Sequence, residues 1–178
     1  MSRSASKISR QAAALKKAFD GAFAEPLRPG QARGADLLAV RLGGEPWAIP
    51  FSAIAGLHSG KQITPLPGTA PGLLGLAGFR GALLPVYDLA ARIGLTPAAS
   101  PRWLVLTADR RVALAFAELD GHLRAAEGDL LPHGPQGGPA FTSGFVTVGG
   151  DQRPVLHLPA LLAAIPRRLP LAQEGNET

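Results

Sequence analysis

Residues 37–51 carry apolar side chains at every second position, which is the spacing of a β-strand with one buried face. The apolar positions are Leu38, Val40 and Leu42, then Trp47, Ile49 and Phe51. Gly43 and Gly44 separate the two runs and tolerate the positive φ angles of a tight hairpin turn. The pattern therefore predicts a half-buried hairpin, followed at residues 52–60 by a short helix that ends at Gly60.

The segment at residues 71–89, PGLLGLAGFRGALLPVYDL, contains two further apolar runs. Its glycines recur every third residue, which fits neither a dinucleotide-binding fingerprint nor a P-loop, and Pro85 would break a helix there. The longest apolar run, residues 70–79, is shorter than the roughly 20 residues of a membrane helix. We therefore predict two strands joined by a turn at Phe79–Ala82, with Asp88 capping a helix after the second strand.

The chain from residue 37 onward resembles itself at an offset of about 66 residues. Four matches occur in the same order: LLAV at 37–40 with WLVL at 103–106, AIPFSAI at 48–54 with ALAFAEL at 113–119, Gly78-Phe79 with Gly144-Phe145, and PVYDL at 85–89 with PVLHL at 154–158. We predict two similar β-rich subdomains, each with a hairpin, a short helix, a second hairpin and a closing helix. Closure into small barrels would remove the exposed strand edges.

Composition supports this mainly β prediction, because 22 glycines and 17 prolines in 178 residues favour short strands and many turns. The positive charge is concentrated at the start, where five Lys and Arg and no acid precede residue 18. Residues 5–24 have helical spacing, so residues 1–35 are predicted to form a basic amphipathic helix and a linker, and residues 166–178 a tail. The leader is either a solvated helix or a binding segment for nucleic acid or a membrane surface.

Catalytic chemistry finds little support in the sequence. There is no cysteine, no G-x-S-x-G nucleophile elbow and no closely spaced histidine pair, so no catalytic residue, metal ligand or cofactor is predicted. Glu118 and Asp120 are predicted to face water in a helix or turn. Arg80 is a single charge among apolar residues; it either is solvated or pairs with Asp88, or it anchors a protein partner. In the last case Leu83, together with other apolar neighbours in the segment, would form the rim.

Two stretches resemble the CheW-like chemotaxis coupling domain. The first, LLAVRLGGEPWAIPFSAIAGL, has the hairpin with an aromatic residue before AIP that is typical of the family. The second contains ITPLP and the block GLAGFRGALLPVYDL at 75–89, which is similar to the family pattern G-x-x-N-L-R-G-x-x-[LIV]-P-V-x-D-L. The resemblance covers about residues 36–165. It implies two small, SH3-like, five-stranded β-barrels, at about 37–100 and about 101–165, in agreement with the duplication.

The resemblance also implies a non-enzymatic adaptor that joins chemoreceptor cytoplasmic tips to the regulatory domain of a CheA-type histidine kinase. In the family the arginine of the R-G turn lies at the receptor-binding groove, and here that position is Arg80. Gly75, Leu76 and Phe79 belong to the same block and complete the expected partner-binding set. On this basis we expect a cytoplasmic protein with no membrane insertion, no nucleic-acid partner and no cofactor.

The sequence departs from the family pattern at several positions. Gly78 and Phe79 replace the usual Asn-Leu before Arg80, Gly56 stands where an acidic residue is common, and His157 replaces an aspartate. These differences leave flagellar chemotaxis, twitching motility and other chemosensory pathways open. A nucleic-acid-binding module that uses the basic N-terminal segment is the less favoured alternative, because aromatic residues for base stacking are only 6% of the chain.

Overall fold

The computed structural model of the protein describes residues 34–66, 70–132 and 140–166. The helix predicted at 5–24, nearly all of the predicted linker and nearly all of the predicted tail lie outside these ranges. Within them the protein is mainly β, as predicted, with few and short helices. Among these same residues no helix combines the length and the apolar character that crossing a membrane requires.

Eleven strands and two short α-helices follow one another in the described part of the chain. The first half contains β1 (Ala35–Leu42), β2 (Glu45–Pro50), β3 (Ile54–Ser59), β4 (Leu73–Phe79), β5 (Ala82–Asp88) and helix α1 (Leu89–Arg92). The second half contains β6 (Trp103–Thr107), β7 (Ala113–Phe116), β8 (Glu118–Ala125), β9 (Leu130–Pro132), β10 (Thr142–Val148), β11 (Asp151–Leu156) and helix α2 (Leu158–Ala163). Single 3₁₀ turns occur at Phe51–Ala53 and Glu127–Asp129.

Each of the two sheets contains one hairpin that comes from the other half of the chain. The six-stranded sheet has the order β8-β1-β2-β11-β10-β9, and the five-stranded sheet has the order β3-β6-β7-β5-β4. Hairpin β1–β2 therefore belongs to the sheet of the second half, and hairpin β6–β7 belongs to that of the first. The predicted division into barrels at about 37–100 and about 101–165 is wrong for these two hairpins. The strand pattern predicts each hairpin, but only tertiary contacts select the sheet that it joins.

The strand register confirms the internal duplication. Val86 of β5 pairs in parallel with Ala113 of β7, and Val155 of β11 pairs in the same way with Ala48 of β2. The matches of PVYDL with PVLHL and of AIPFSAI with ALAFAEL therefore join equivalent positions. The match of LLAV with WLVL is wrong by one residue, because the antiparallel registers of β1–β2 and β6–β7 differ by that amount.

The glycine match is also shifted. Gly75 and Gly144 each follow a bulge, and each faces the equivalent valine on the next strand. The counterpart of Gly144 is therefore Gly75. The match of Gly144 with Gly78, which was made from the sequence, is wrong by three residues. At both positions another strand or loop passes so closely that a Cβ would overlap a backbone carbonyl oxygen, that of Thr64 or that of Leu131.

Three apolar clusters make up the core. The largest lies between the sheets, and each sheet has a smaller cluster on its other side. Strand β1 contributes to two of them, since Leu38 and Val40 pack in the central cluster and Leu37 packs in a smaller one. The prediction of a half-buried strand is therefore wrong for the centre of β1. From Leu37 to Val40 no residue is more than 1% exposed.

Two further local predictions are wrong. Residues 52–60 form no helix beyond one 3₁₀ turn, because most of the segment is strand β3, paired with β6. Glu118 and Asp120 lie on strand β8 and not in a helix or turn, although both are exposed as predicted. In both cases pairing with a strand distant in sequence outweighs the local pattern.

The predicted helix cap at Asp88 is confirmed. One carboxylate oxygen accepts a hydrogen bond from Ala91 N at 2.8 Å, and the other accepts one from Ala98 N at 3.1 Å. The side chain is only 1% exposed. Asp88 and Arg80 flank opposite ends of β5, so the ion pair considered from the sequence does not form. His157 is the equivalent cap of α2, but its contact with Ala160 N is longer, at 3.3 Å, and exposed.

Replacing Asp88 by asparagine is expected to lower the free energy of unfolding by roughly 1.5 kcal/mol, because the amide can accept only one of the two hydrogen bonds. The matched change is His157→Asn, which puts a good capping residue at the exposed equivalent position and should change stability by less than about 0.5 kcal/mol. Urea unfolding of the two variants measures the difference. Equal losses would contradict a special role for the buried cap.

Candidate partner-binding groove

The turn between β4 and β5 places Arg80 at an exposed tip. Arg80 and Gly81 have φ angles of 48° and 86°, and the flanking residues Phe79 and Ala82 pair with each other. Positive φ at both central residues is the geometry of the hairpin turn that suits the twist of β-strands. Within the described residues the structure gives Arg80 no carboxylate partner, so the guanidinium is available to another molecule.

An open groove of about 610 Å³ begins beside this turn. Its walls and floor are largely apolar and include Leu38, Phe51, Ile54, Leu57, Phe79 and Trp103. Most of these side chains come from the five-stranded sheet and its loops, whereas Leu38 comes from β1 of the six-stranded sheet. The groove therefore lies where the two sheets meet, and its volume falls in the range of ordinary ligand-binding clefts.

Three cationic side chains line the groove: Lys61 after β3, Arg80 on the β4–β5 turn and Arg110 on the β6–β7 turn. No Asp or Glu is among the described lining residues. An apolar floor with a cationic rim fits a partner that presents an apolar stripe flanked by carboxylates.

His58 lines the same groove as these cations and is within electrostatic range of two of them, Lys61 and Arg80. Its ring meets the Phe79 ring edge-on, with the centroids 5.1 Å apart. Burial, and then the positive charges of Lys61 and Arg80, lower the pKa of His58 below its ordinary value. The imidazole is therefore kept neutral near pH 7 in the free protein.

The four predicted partner-binding residues do not all lie in the groove. Arg80 and Phe79 line the groove, and Phe79 is held under Lys61, whose Nζ lies 5.4 Å from the ring centroid. Leu76 is three residues from Phe79 along β4 and so lies on the opposite face of the strand. Gly75 is buried against Thr64 of the preceding loop. Only two of the four are thus brought together in the groove.

The predicted rim residue Leu83 lies on the outer face of the hairpin. It faces Gly78, which has no side chain to cover it, and it is 72% exposed. His58, Lys61 and Arg110 are groove residues that were not predicted from the sequence. They come from three separate segments, and no local pattern links them.

The other histidines in the described ranges have structural partners. His122 Nε2 lies 2.9 Å from a carboxylate oxygen of Asp36, and His157 caps α2. His133 lies outside the described residues. No group of three or more His, Cys, Asp or Glu side chains suited to a metal ion occurs in residues 34–66, 70–132 and 140–166.

Comparison with known proteins identifies the family. The CheW-like domain family matches residues 36–165. The chemotaxis protein CheW of Rhizobium meliloti (strain 1021) is 30% identical over 104 residues, which cover 56% of this chain and 66% of the relative. The probable chemotaxis protein CheW of Rhizobium etli (strain ATCC 51251 / DSM 11541 / JCM 21823 / NBRC 15573 / CFN 42) is 33% identical over 63 residues, 35% of this chain and 41% of that protein. The matches span slightly less than two thirds of the first relative and less than half of the second.

A solved structure has the same fold. The crystal structure of the scaffolding protein TtCheW from Thermoanaerobacter tengcongensis superposes with a TM-score of 0.61 at 17% identity, covering 68% of this chain and 88% of that one. CheW-like proteins are non-enzymatic scaffolds. The family match covers most of the chain, and the two-sheet architecture and the R-G turn agree with it, so this protein belongs to the CheW-like domain family.

Proposed function

We propose that the protein is an adaptor of a bacterial chemosensory array, in which it joins the cytoplasmic tips of chemoreceptors to the regulatory domain of a CheA-type histidine kinase. The observation that carries this proposal is the groove beside the R-G turn, with its apolar floor and cationic rim. It supports docking of a receptor segment there. The protein acts in the cytoplasm, makes and breaks no bond, and transmits a signal through its interfaces.

The groove suits one helix of a receptor tip. An amphipathic helix presents an apolar stripe along one face and polar residues beside it. Leu57, Phe79 and Trp103 would pack against the stripe, while Arg80 and Lys61 would pair with carboxylates at its margin. Aromatic and arginine side chains in such positions supply much of the binding energy of protein interfaces.

The backbone at Arg80 adds support. A residue other than glycine at a φ of 48° costs about 1 kcal/mol, because its Cβ approaches the carbonyl group. The hairpin turns at Gly43-Gly44 and Gly149-Gly150 use glycine at both central positions. Arg80 thus occupies a position where glycine would be less strained, and a binding role for its guanidinium accounts for that.

Reconstitution of the three components tests the proposal. The full chain, a receptor tip fragment from the same organism and the CheA-type kinase are mixed and sedimented as arrays. We expect the kinase to cosediment with receptor only when this chain is present, with a rise in its autophosphorylation. Cosedimentation that is unchanged without the chain would refute the adaptor role.

The same experiment separates the pathways left open by the sequence. Receptors and kinases of the flagellar and twitching systems can be tested in parallel, and the set that assembles identifies the pathway. If the protein instead binds DNA with a steep salt dependence that deletion of residues 1–35 abolishes, the nucleic-acid alternative replaces the adaptor.

A further inference from the structure

The His58 side chain lines the groove. Within the described residues the structure gives neither ring nitrogen of His58 a hydrogen-bond partner. The ring packs on the edge of Phe79. Residue 58 itself is only partly buried, so a molecule in the groove can reach it. An unpaired polar ring at a docking surface is free to bond with the incoming partner.

Among the described residues, the charged groups that face His58 are cations. Lys61 comes from the loop after β3, Arg80 from the β4–β5 turn, and Arg110 lines the same groove from the β6–β7 turn. The strand paired with β3 contributes apolar groups, since His58 is opposite Leu104 of β6. The carboxylate of Asp109, next to Arg110, already accepts hydrogen bonds from the Thr107 hydroxyl and the Arg111 guanidinium. No described carboxylate is therefore positioned to stabilise a protonated His58.

We propose that His58 makes docking in the groove proton-linked: an acidic, amphipathic partner segment binds together with one proton, which is taken up by the His58 imidazole. The inference deepens the adaptor function and rests on it for the nature of the natural partner. In the free protein burial, and then the positive charges of Lys61 and Arg80, oppose protonation of the ring. A bound carboxylate neutralises them and accepts a hydrogen bond from the imidazolium, so that the ring becomes charged.

The linkage fixes the sign of the pH dependence. Binding raises the pKa of His58 from a lowered value in the free protein, so between the free and bound pKa values binding is accompanied by net proton uptake. Affinity therefore increases as the pH falls through this interval. At pH values above the pKa of the bound state, or below the pKa of the free state, the affinity is independent of pH. A pKa change of one unit corresponds to a tenfold change in affinity.

The experiment uses the full chain and a synthetic amphipathic helical peptide with a leucine stripe flanked by glutamates, which stay ionised above pH 5.5. Isothermal titration calorimetry at pH 5.5 to 8.0, in buffers of different ionisation enthalpy, gives the dissociation constant and the number of protons taken up. We expect binding to tighten about tenfold from pH 8.0 to 5.5, with about half a proton taken up per binding event midway between the two pKa values. NMR titration of the ring should show the pKa of His58 rising on saturation with the peptide.

The matched variant is His58→Gln, which keeps a polar side chain but cannot be protonated in this range. It should bind the peptide with less than a twofold change across the same pH values. An equal pH dependence in the variant, a His58 titration unmoved by the peptide, or no peptide binding at pH 5.5 would each overturn the proposal.

Binding of a receptor tip fragment to the wild-type protein and to His58→Gln, measured at pH 5.5, 7.0 and 8.0, distinguishes the two proposals. Tip binding without a His58-dependent pH effect refutes the proton linkage and leaves the adaptor function standing. Proton-linked binding of the synthetic peptide, without any binding of the receptor tip, refutes the adaptor function instead.

Discussion

Replacing Gly75 by alanine is expected to lower the free energy of unfolding by about 3 to 4 kcal/mol. Gly75 has a φ of 145°, which side-chain-bearing residues rarely adopt, and an added Cβ would overlap the carbonyl oxygen of Thr64. That oxygen accepts a hydrogen bond from Leu76 N at 2.8 Å, and Thr64 N donates one to Leu76 O at the same distance. The substitution must therefore both strain the backbone and separate two paired segments.

The matched control is Gly78→Ala, three residues along the same strand. Gly78 has no positive φ, and a Cβ there would meet nothing within 4 Å. Its stability should change by less than about 1 kcal/mol. Chemical unfolding of both variants, followed by circular dichroism and tryptophan fluorescence, gives the comparison. Similar stabilities for the two would show that the close approach at Gly75 contributes little.

Replacing Arg80 by glutamate is expected to weaken binding of a receptor tip by about 2 kcal/mol or more, which is about 30-fold, without loss of folding. The change removes a guanidinium that lines the groove and puts a carboxylate among the remaining cations. An acidic partner segment would then meet a like charge at that point. Binding by fluorescence anisotropy, with the unfolding curve as a check, measures both parts of the prediction.

Two further variants distinguish the effect of the Arg80 guanidinium on binding from the effects of backbone strain and of net charge. Arg80→Gly removes the same side chain and relieves the positive φ, so it should weaken tip binding while leaving stability equal or higher. Arg102→Glu makes the same charge change at an exposed arginine that is not among the groove-lining residues, and should alter binding less than threefold. Receptor binding that is indifferent to both Arg80 variants would remove this residue from the interface.

The strands and turns that depend on local chemistry were predictable. Glycine pairs and the Arg80-Gly81 turn mark hairpins because few other residues accept their φ angles, and a buried Asp before LAAR acts as the expected cap. The internal repeat was also visible. Its matches lay within a few residues of the true correspondence, because the two copies keep the same order of turns and apolar runs.

The predictions that were wrong concern features that depend on contacts between segments far apart in the sequence. A hairpin that leaves its own repeat has the same local pattern as one that stays, so the exchange of β1–β2 and β6–β7 is invisible in a single sequence. The burial of Leu37 and Ala39 follows from that exchange, since the strand is covered on both sides. Likewise the groove collects Lys61 and Arg110 from loops about 50 residues apart, and no spacing rule relates them.

The hairpin exchange also bears on how such a chain could have arisen. A single repeat, folded alone with its own hairpin extended, would leave a sheet without two of its central strands. Two identical copies could complete each other by trading hairpins, as domain-swapped subunits do. The present protein has the arrangement that such a swapped pair would have if its two chains were joined into one polypeptide.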